Sequence, residues 1–152
     1  MSDRSQLREH LNELCKFLDN VYNINYGGCC IVASLIAKHL EKLQIPYSLR
    51  INDSEDKDLS AITNEVINRK INKHRNCSVT GNHTCNHYFL QIEDGGVNDL
   101  EEYDEYYEIH NVNYKQIKWI YRNGVWNDTY DTSDTKVVKG IINEFFKKYE
   151  IV

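Results

Sequence analysis

Apolar residues recur every three or four positions over residues 5–21, where Leu7, Leu11, Leu14, Leu18 and Val21 are separated by polar residues. That period puts them on one side of a helix. Asn23 to Gly28 breaks the pattern. A second helix is expected over 29–43, with Val32, Leu35, Ile36, Leu40 and Leu43 as its stripe. Pro46 stops that run, and the alternation of Tyr47, Leu49 and Ile51 predicts a strand. Beyond the polar loop from Asn52 to Leu59, Ser60 is an N-cap for a third helix carrying Ile62, Val66, Ile67 and Ile71. Arg75 to Asn86 is irregular and polar. His87–Ile92 reads as a strand, Asp94-Gly95-Gly96 as a hairpin turn, and Asn98 and Asp99 as the start of the partner strand. Tyr114–Tyr121 and Val125–Asp128 flank Asn123-Gly124 and read as another hairpin. A last helix begins at Ser133/Asp134 and carries Val137, Val138, Ile141, Ile142, Phe145, Phe146 and Tyr149. Helices, then strands, then a closing helix give an α+β fold with a mainly antiparallel sheet. No repeat or linker divides the chain, so residues 1–152 are read as a single domain.

Charge narrows the classes of partner. The formal net charge of −5 argues against a nucleic-acid or anionic-membrane binder, both of which need a positive excess. Eight acids and no Lys or Arg lie between Glu93 and Glu108, so that stretch carries −8 and the remainder +3. It also holds Tyr103, Tyr106 and Tyr107, a composition suited to a solvated face or a protein contact. No run of apolar residues is long enough to span a membrane, and MSDRSQLREH has no apolar signal core. A cytoplasmic location is expected. Five cysteines, two of them adjacent, do not form a disulfide framework in a reducing compartment. Seventeen Asn make any single Asn a weak signal.

The chemistry concentrates in Asn25-Tyr26-Gly27-Gly28-Cys29-Cys30-Ile31-Val32-Ala33. Two glycines permit a tight entry into a helix that starts at a cysteine. Unpaired N–H groups and partial positive charge at a helix N-terminus favour thiolate over thiol and can hold an oxyanion. Helical phase puts Cys29 on the stripe of Val32, Ile36 and Leu40, and turns Cys30 by about 100° towards the polar side. Cys29 is therefore the candidate nucleophile. A thiol needs a base, and the base an orienting group. His87 opens the one strand with a well-placed histidine, and Asn98 or Asp99 could hold its ring from the neighbouring strand. Strict alternation groups His87 with Phe89 and Gln91, so meeting Cys29 requires cover on both faces of the strand or a twist at its start.

A Gly-Gly-Cys segment opening an amphipathic helix, followed by a His-led strand and an Asn or Asp on the next one, resembles the papain-like superfamily. That group includes papain-type peptidases, transglutaminase-like domains and arylamine N-acetyltransferases. Short Gly-Gly-Cys domains of this type occur in bacteriophage and bacterial genomes. The resemblance covers about residues 20–50 and 85–100. It implies a papain-like fold, with Cys29 as nucleophile, His87 as base and Asn98 or Asp99 as orienting residue. In papain-type peptidases an amide six residues before the cysteine helps to form the oxyanion hole; Asn23 holds that position here. Cys30 departs from the pattern, since papain has Trp and the phage-type domains often have Gly there.

Two functions follow. One is a cysteine-dependent hydrolase or acyl transferase acting on peptide or isopeptide bonds, with a peptide or protein substrate. The other is a non-catalytic virion or assembly protein on the same scaffold, docking through the acidic, Tyr-rich segment. Either would reside in host cytoplasm or virion if phage-encoded. Cys77, His83, Cys85 and His87 are zinc-ligand types within eleven residues, but Cys-x5-His-x-Cys-x-His lacks the close Cys pair of finger sites. No metal and no cofactor are expected.

Overall fold

A computed structural model describes residues 3–25, 28–52, 87–93, 95–99, 107–123 and 132–150. Helix α1 (Asp3–Tyr22) turns Leu7, Leu11, Cys15 and Leu18 into the core. It ends at Asn23, whose φ of 54° suits the left-handed tolerance of Asn and whose N–H still bonds the Asp19 carbonyl at 3.0 Å. Helix α2 (Cys29–Lys42) is buried nearly all round, including Cys29 to Ser34, Ile36, Ala37, His39 and Leu40. A helix covered on every side is a core element, not a surface one. Its C-terminus closes in a Schellman arrangement. Gln44 takes φ 57°, its N–H bonds the Glu41 carbonyl at 3.1 Å, and the Ile45 N–H bonds Leu40 at 2.9 Å. Pro46 follows, where a helix cannot resume.

Four strands form one antiparallel sheet: β1 (Ser48–Asn52), β2 (His87–Ile92), β3 (Gly95–Val97) and β4 (Tyr107–Ile109), in the order β3-β2-β1-β4. Leu49 pairs with Leu90, and Leu90 with Val97, so a row of apolar side chains crosses three strands. That row and Ile92 belong to the same buried cluster as Val32, Ile36 and Leu40 of α2. Each Leu, Ile or Val so buried contributes roughly 1.5–3 kcal/mol. Arg50, Phe89 and Gly96 alternate onto the other face.

Three expectations about this region need correction. The chain leaves β2 at Glu93, which takes the left-handed φ of 56°, and Ile92 already pairs with Gly95. Gly95 and Gly96 are strand residues, and a Cβ on Gly96 would lie 2.8 Å from the Asp99 Cβ. Asn98 and Asp99 follow the partner strand; they do not begin it. The edge of β3 is covered by α1. Asn12 Nδ2 donates to the Gly96 carbonyl at 3.0 Å, and its Oδ1 accepts from the Asn98 N–H at 2.8 Å, so one amide satisfies an otherwise open strand edge. Part of the acidic run forms β4 against β1, with Glu108 opposite Arg50.

Residues 114–121 are helical, which corrects the hairpin reading. Helix α3 (Tyr114–Asn123) starts in a capping box: Asn113 Oδ1 accepts the Gln116 N–H at 3.0 Å, and Gln116 Oε1 accepts the Asn113 N–H at 2.9 Å. It packs on α2, with Ile117 fully buried. Helix α4 (Thr132–Glu150) closes the fold. Its Val138, Ile142 and Phe146 are buried at four-residue spacing, and Phe146 stacks on His39 of α2 with ring centres 4.5 Å apart. The structure is thus α+β, with four helices and one antiparallel sheet among the described residues. No helix among them is long and apolar enough to cross a membrane. The expected third helix at 60–71 and the strand at 125–128 lie outside the described residues.

Candidate thiol site

Cys29 is the first residue of α2, after the N-cap Gly28. The first bond of the helix runs from the Val32 N–H to the Gly28 carbonyl at 3.1 Å, so the N–H groups of residues 29–31 precede the helical ladder. No side chain caps this terminus and no acid lies in its first turn, so no side-chain carboxylate of that turn offsets its positive end. Cys29 is 6% exposed and belongs to the cluster of Val32, Ile36 and Leu40, as its helical phase indicates.

Cys30 is equally buried, not set at a polar edge. Its thiol donates to the Ile117 carbonyl of α3 at 3.3 Å, which gives it a packing role between the two helices. Helical phase misplaced it because α3 covers the side of α2 that the strand reading had left open. Cys15 is different again. Complete burial, with Asp19 nearby, raises its pKa from the ordinary 9.0 to about 12, so it remains a thiol.

Asn98 stands at the end of β3 with φ 66° and is 6% exposed. Its Nδ2 donates to Asn25 Oδ1 at 2.9 Å, and Asn25 Nδ2 donates back to Asn98 Oδ1 at 3.2 Å. Asn25, whose own N–H bonds Asp19 Oδ1 at 3.1 Å, lies in the loop that leads into Cys29. This two-way amide clasp ties the entry of α2 to the end of β3. Because β3 runs antiparallel to β2, its last residue, Val97, pairs with Leu90, three residues into the strand that His87 opens. Val32, Ala33 and Ile36 of α2 line one small void with Phe89, Leu90, Val97 and Asn98. The entry of α2 and the end of β3 therefore meet beside Phe89 and Leu90 of β2.

The remaining candidates divide. Asp99 lines a groove with Arg8 and Arg50, away from the void that Asn98 shares with α2. Asn23 is exposed and terminates α1. The side chain of His87 lies outside the described residues, as do Cys77, His83, Cys85, Tyr103 and Tyr106. Among the described residues no three His, Cys, Asp or Glu are grouped to hold a metal ion. Sequence reasoning passed over Asn25 and Asn12, which hold Asn98 on two sides; nothing in an Asn-rich chain distinguishes them. Comparison of the chain with protein-family models, curated proteins and solved structures found no match.

Proposed function

We propose that the chain is a cysteine-dependent hydrolase or acyl transferase of the papain-like kind, acting on peptide or isopeptide bonds. His87 takes the proton of Cys29, and the thiolate attacks a carbonyl carbon. The N–H groups of the first turn of α2 hold the resulting oxyanion. The protonated imidazole passes its proton to the leaving amine, and water or a second amine then releases the acyl group from sulfur. Asn98, not Asp99, is the orienting residue in this scheme, since Asn98 lines the void beside Val32, Ala33 and Ile36 of α2 while Asp99 lines a separate groove. The observation that supports the reading is the clasp between Asn98 and Asn25, which ties the loop before Cys29 to the residue that follows β3, on the strand paired with the one His87 opens.

The test is thiol reactivity by residue. Iodoacetamide labelling followed by mass spectrometry, from pH 5 to 9, should show Cys29 alkylating at mildly acidic pH while Cys15 stays unlabelled. His87→Ala should move Cys29 labelling to higher pH. Equal labelling of all accessible cysteines, or a profile unchanged by His87→Ala, overturns the reading.

Two observations favour a second function, that of an assembly or interaction protein. Both polar atoms of the Asn98 side chain already bond Asn25, and residue 87 has the parity of Phe89 and Gln91, opposite to Leu90 beneath α2. In that case Cys29→Ala leaves biological function intact, while changes at Tyr106 and Tyr107 abolish it.

A further inference from the structure

Four side chains close a ring of hydrogen bonds through α1, β3 and the loop before α2. Asn12 Nδ2 donates to the Gly96 carbonyl at 3.0 Å, and Asn12 Oδ1 accepts the Asn98 N–H at 2.8 Å. Those backbone partners fix which end of the Asn12 amide is oxygen, since a carbonyl must meet the NH2 group. Asn98 exchanges amide bonds with Asn25 at 2.9 and 3.2 Å, and the Asn25 N–H bonds Asp19 Oδ1 at 3.1 Å. Asn12 and Asp19 belong to α1, about two turns apart and so on the same side of it. One helix therefore grips the end of β3 at one point and the loop before α2 at another. Asn23 and Asn98, with φ of 54° and 66°, are both held in left-handed backbone beside these grips.

The ring supplies what α2 lacks at its own start. Its N-cap is Gly28, no side chain caps its first turn, and Cys29 follows at once. A thiol at that position draws its acidity from the N–H groups and partial charge of the turn, so it depends on how the chain enters the helix. We propose that Asn12 and Asp19 are positioning residues for the Cys29 thiol, acting through Asn98 and Asn25. The inference rests on the thiol reading and adds to it a control exerted from α1: the ring presets the entry of α2, so that the donors of its first turn need no rearrangement to hold charge.

Iodoacetamide labelling of Cys29 in the intact protein, followed by mass spectrometry from pH 5 to 9, reads the effect. Asn12→Ala and Asp19→Ala should each slow Cys29 labelling at pH 6 about tenfold, a rise of about one unit in its midpoint. Asp19→Asn keeps an acceptor oxygen for the Asn25 N–H while losing the charge, and should label like wild type. If the carboxylate acted through its charge alone, Asp19→Asn and Asp19→Ala would label alike, and faster than wild type. Asn113→Ala removes a hydrogen-bonded cap from α3, outside the ring, and should leave the Cys29 profile unchanged. Circular dichroism confirms the fold of each variant, and the Asp19 pair decides the matter should Asn12→Ala fail to fold. A wild-type midpoint no lower than that of an ordinary thiol overturns the thiol reading, and this inference with it. An activated Cys29 that is unmoved by either alanine substitution, slowed equally by Asp19→Asn, or slowed equally by Asn113→Ala overturns the positioning role alone.

Discussion

Asn98 adopts a φ of 66° and exchanges two amide hydrogen bonds with Asn25 while Asn12 holds its backbone N–H. Few residue types meet both demands, since left-handed backbone favours Gly and Asn and the clasp needs an amide. Asn98→Ala should therefore cost roughly 1–3 kcal/mol, because it strands the half-buried Asn25 amide and adds backbone strain. Asn98→Gly relieves the strain but not the lost bonds, so in urea titrations it should fall between wild type and Asn98→Ala. Equal midpoints for all three would mean that the clasp holds nothing. Cys15 makes a pH-dependent contribution of definite sign. Its folded pKa, near 12, lies above the ordinary 9.0, so the unfolded chain releases the proton first. The stability it supports is complete below pH 9 and is lost as pH rises from 9 towards 12. Over that window wild type should lose up to about 1.4 kcal/mol per pH unit more than Cys15→Ala, whatever the difference in their starting stabilities. Parallel curves would show that the thiol is not sealed from water.

At the scale of elements, period and punctuation were enough wherever a helix turned one apolar face inward. The extents of α1 and α2 follow from leucine spacing, from the Asn23-to-Gly28 break and from Pro46. The failure at α3 is instructive. Tyr114, Trp119 and Tyr121 with two isoleucines favour a strand by composition, and Asn123-Gly124 is a hairpin signal. The opposing sign was also present: Asn113 with Gln116 three residues later is a helix start, and the structure uses it as a reciprocal cap. These two residues outweighed the composition because they satisfy backbone donors that a helix would otherwise leave open. Asn113→Ala should destabilise by about 1 kcal/mol, with Asp or Ser at 113 restoring most of it. A neutral Asn113→Ala in thermal or urea unfolding would mean that packing on α2 alone fixes α3. Of the thiol site, Cys29 and its phase were legible from the chain. The clasp was not, because a contact across 73 residues between two asparagines has no periodicity to announce it.

In the whole molecule α2 is the hub, with the sheet on one side, α3 on another and the closing helix α4 against its last turns. A contact that fixes α4 to this hub is His39 against Phe146. The rings lie 4° from parallel, and the His39 Nε2–H donates to Asn143 Oδ1 at 2.7 Å, so α4 is fixed by both an apolar surface and a directed bond. Phe146 also meets Phe145 edge-on at 5.1 Å, which sets its ring among aromatic neighbours on both sides. If α4 were a satellite, losing this ring would fray the helix and leave the rest intact. Complete burial against the hub predicts otherwise: Phe146→Ala should cost about 3–5 kcal/mol, a large share of the 5–15 kcal/mol typical of a domain. The urea midpoint should fall with an unchanged slope, since α4 and the core unfold together. Phe17, half exposed on α1, supplies the comparison, and Phe17→Ala should shift stability by no more than about 0.5 kcal/mol. Two separate transitions in the Phe146→Ala protein, one for helix content and one for Trp fluorescence, would show that α4 folds apart from the hub.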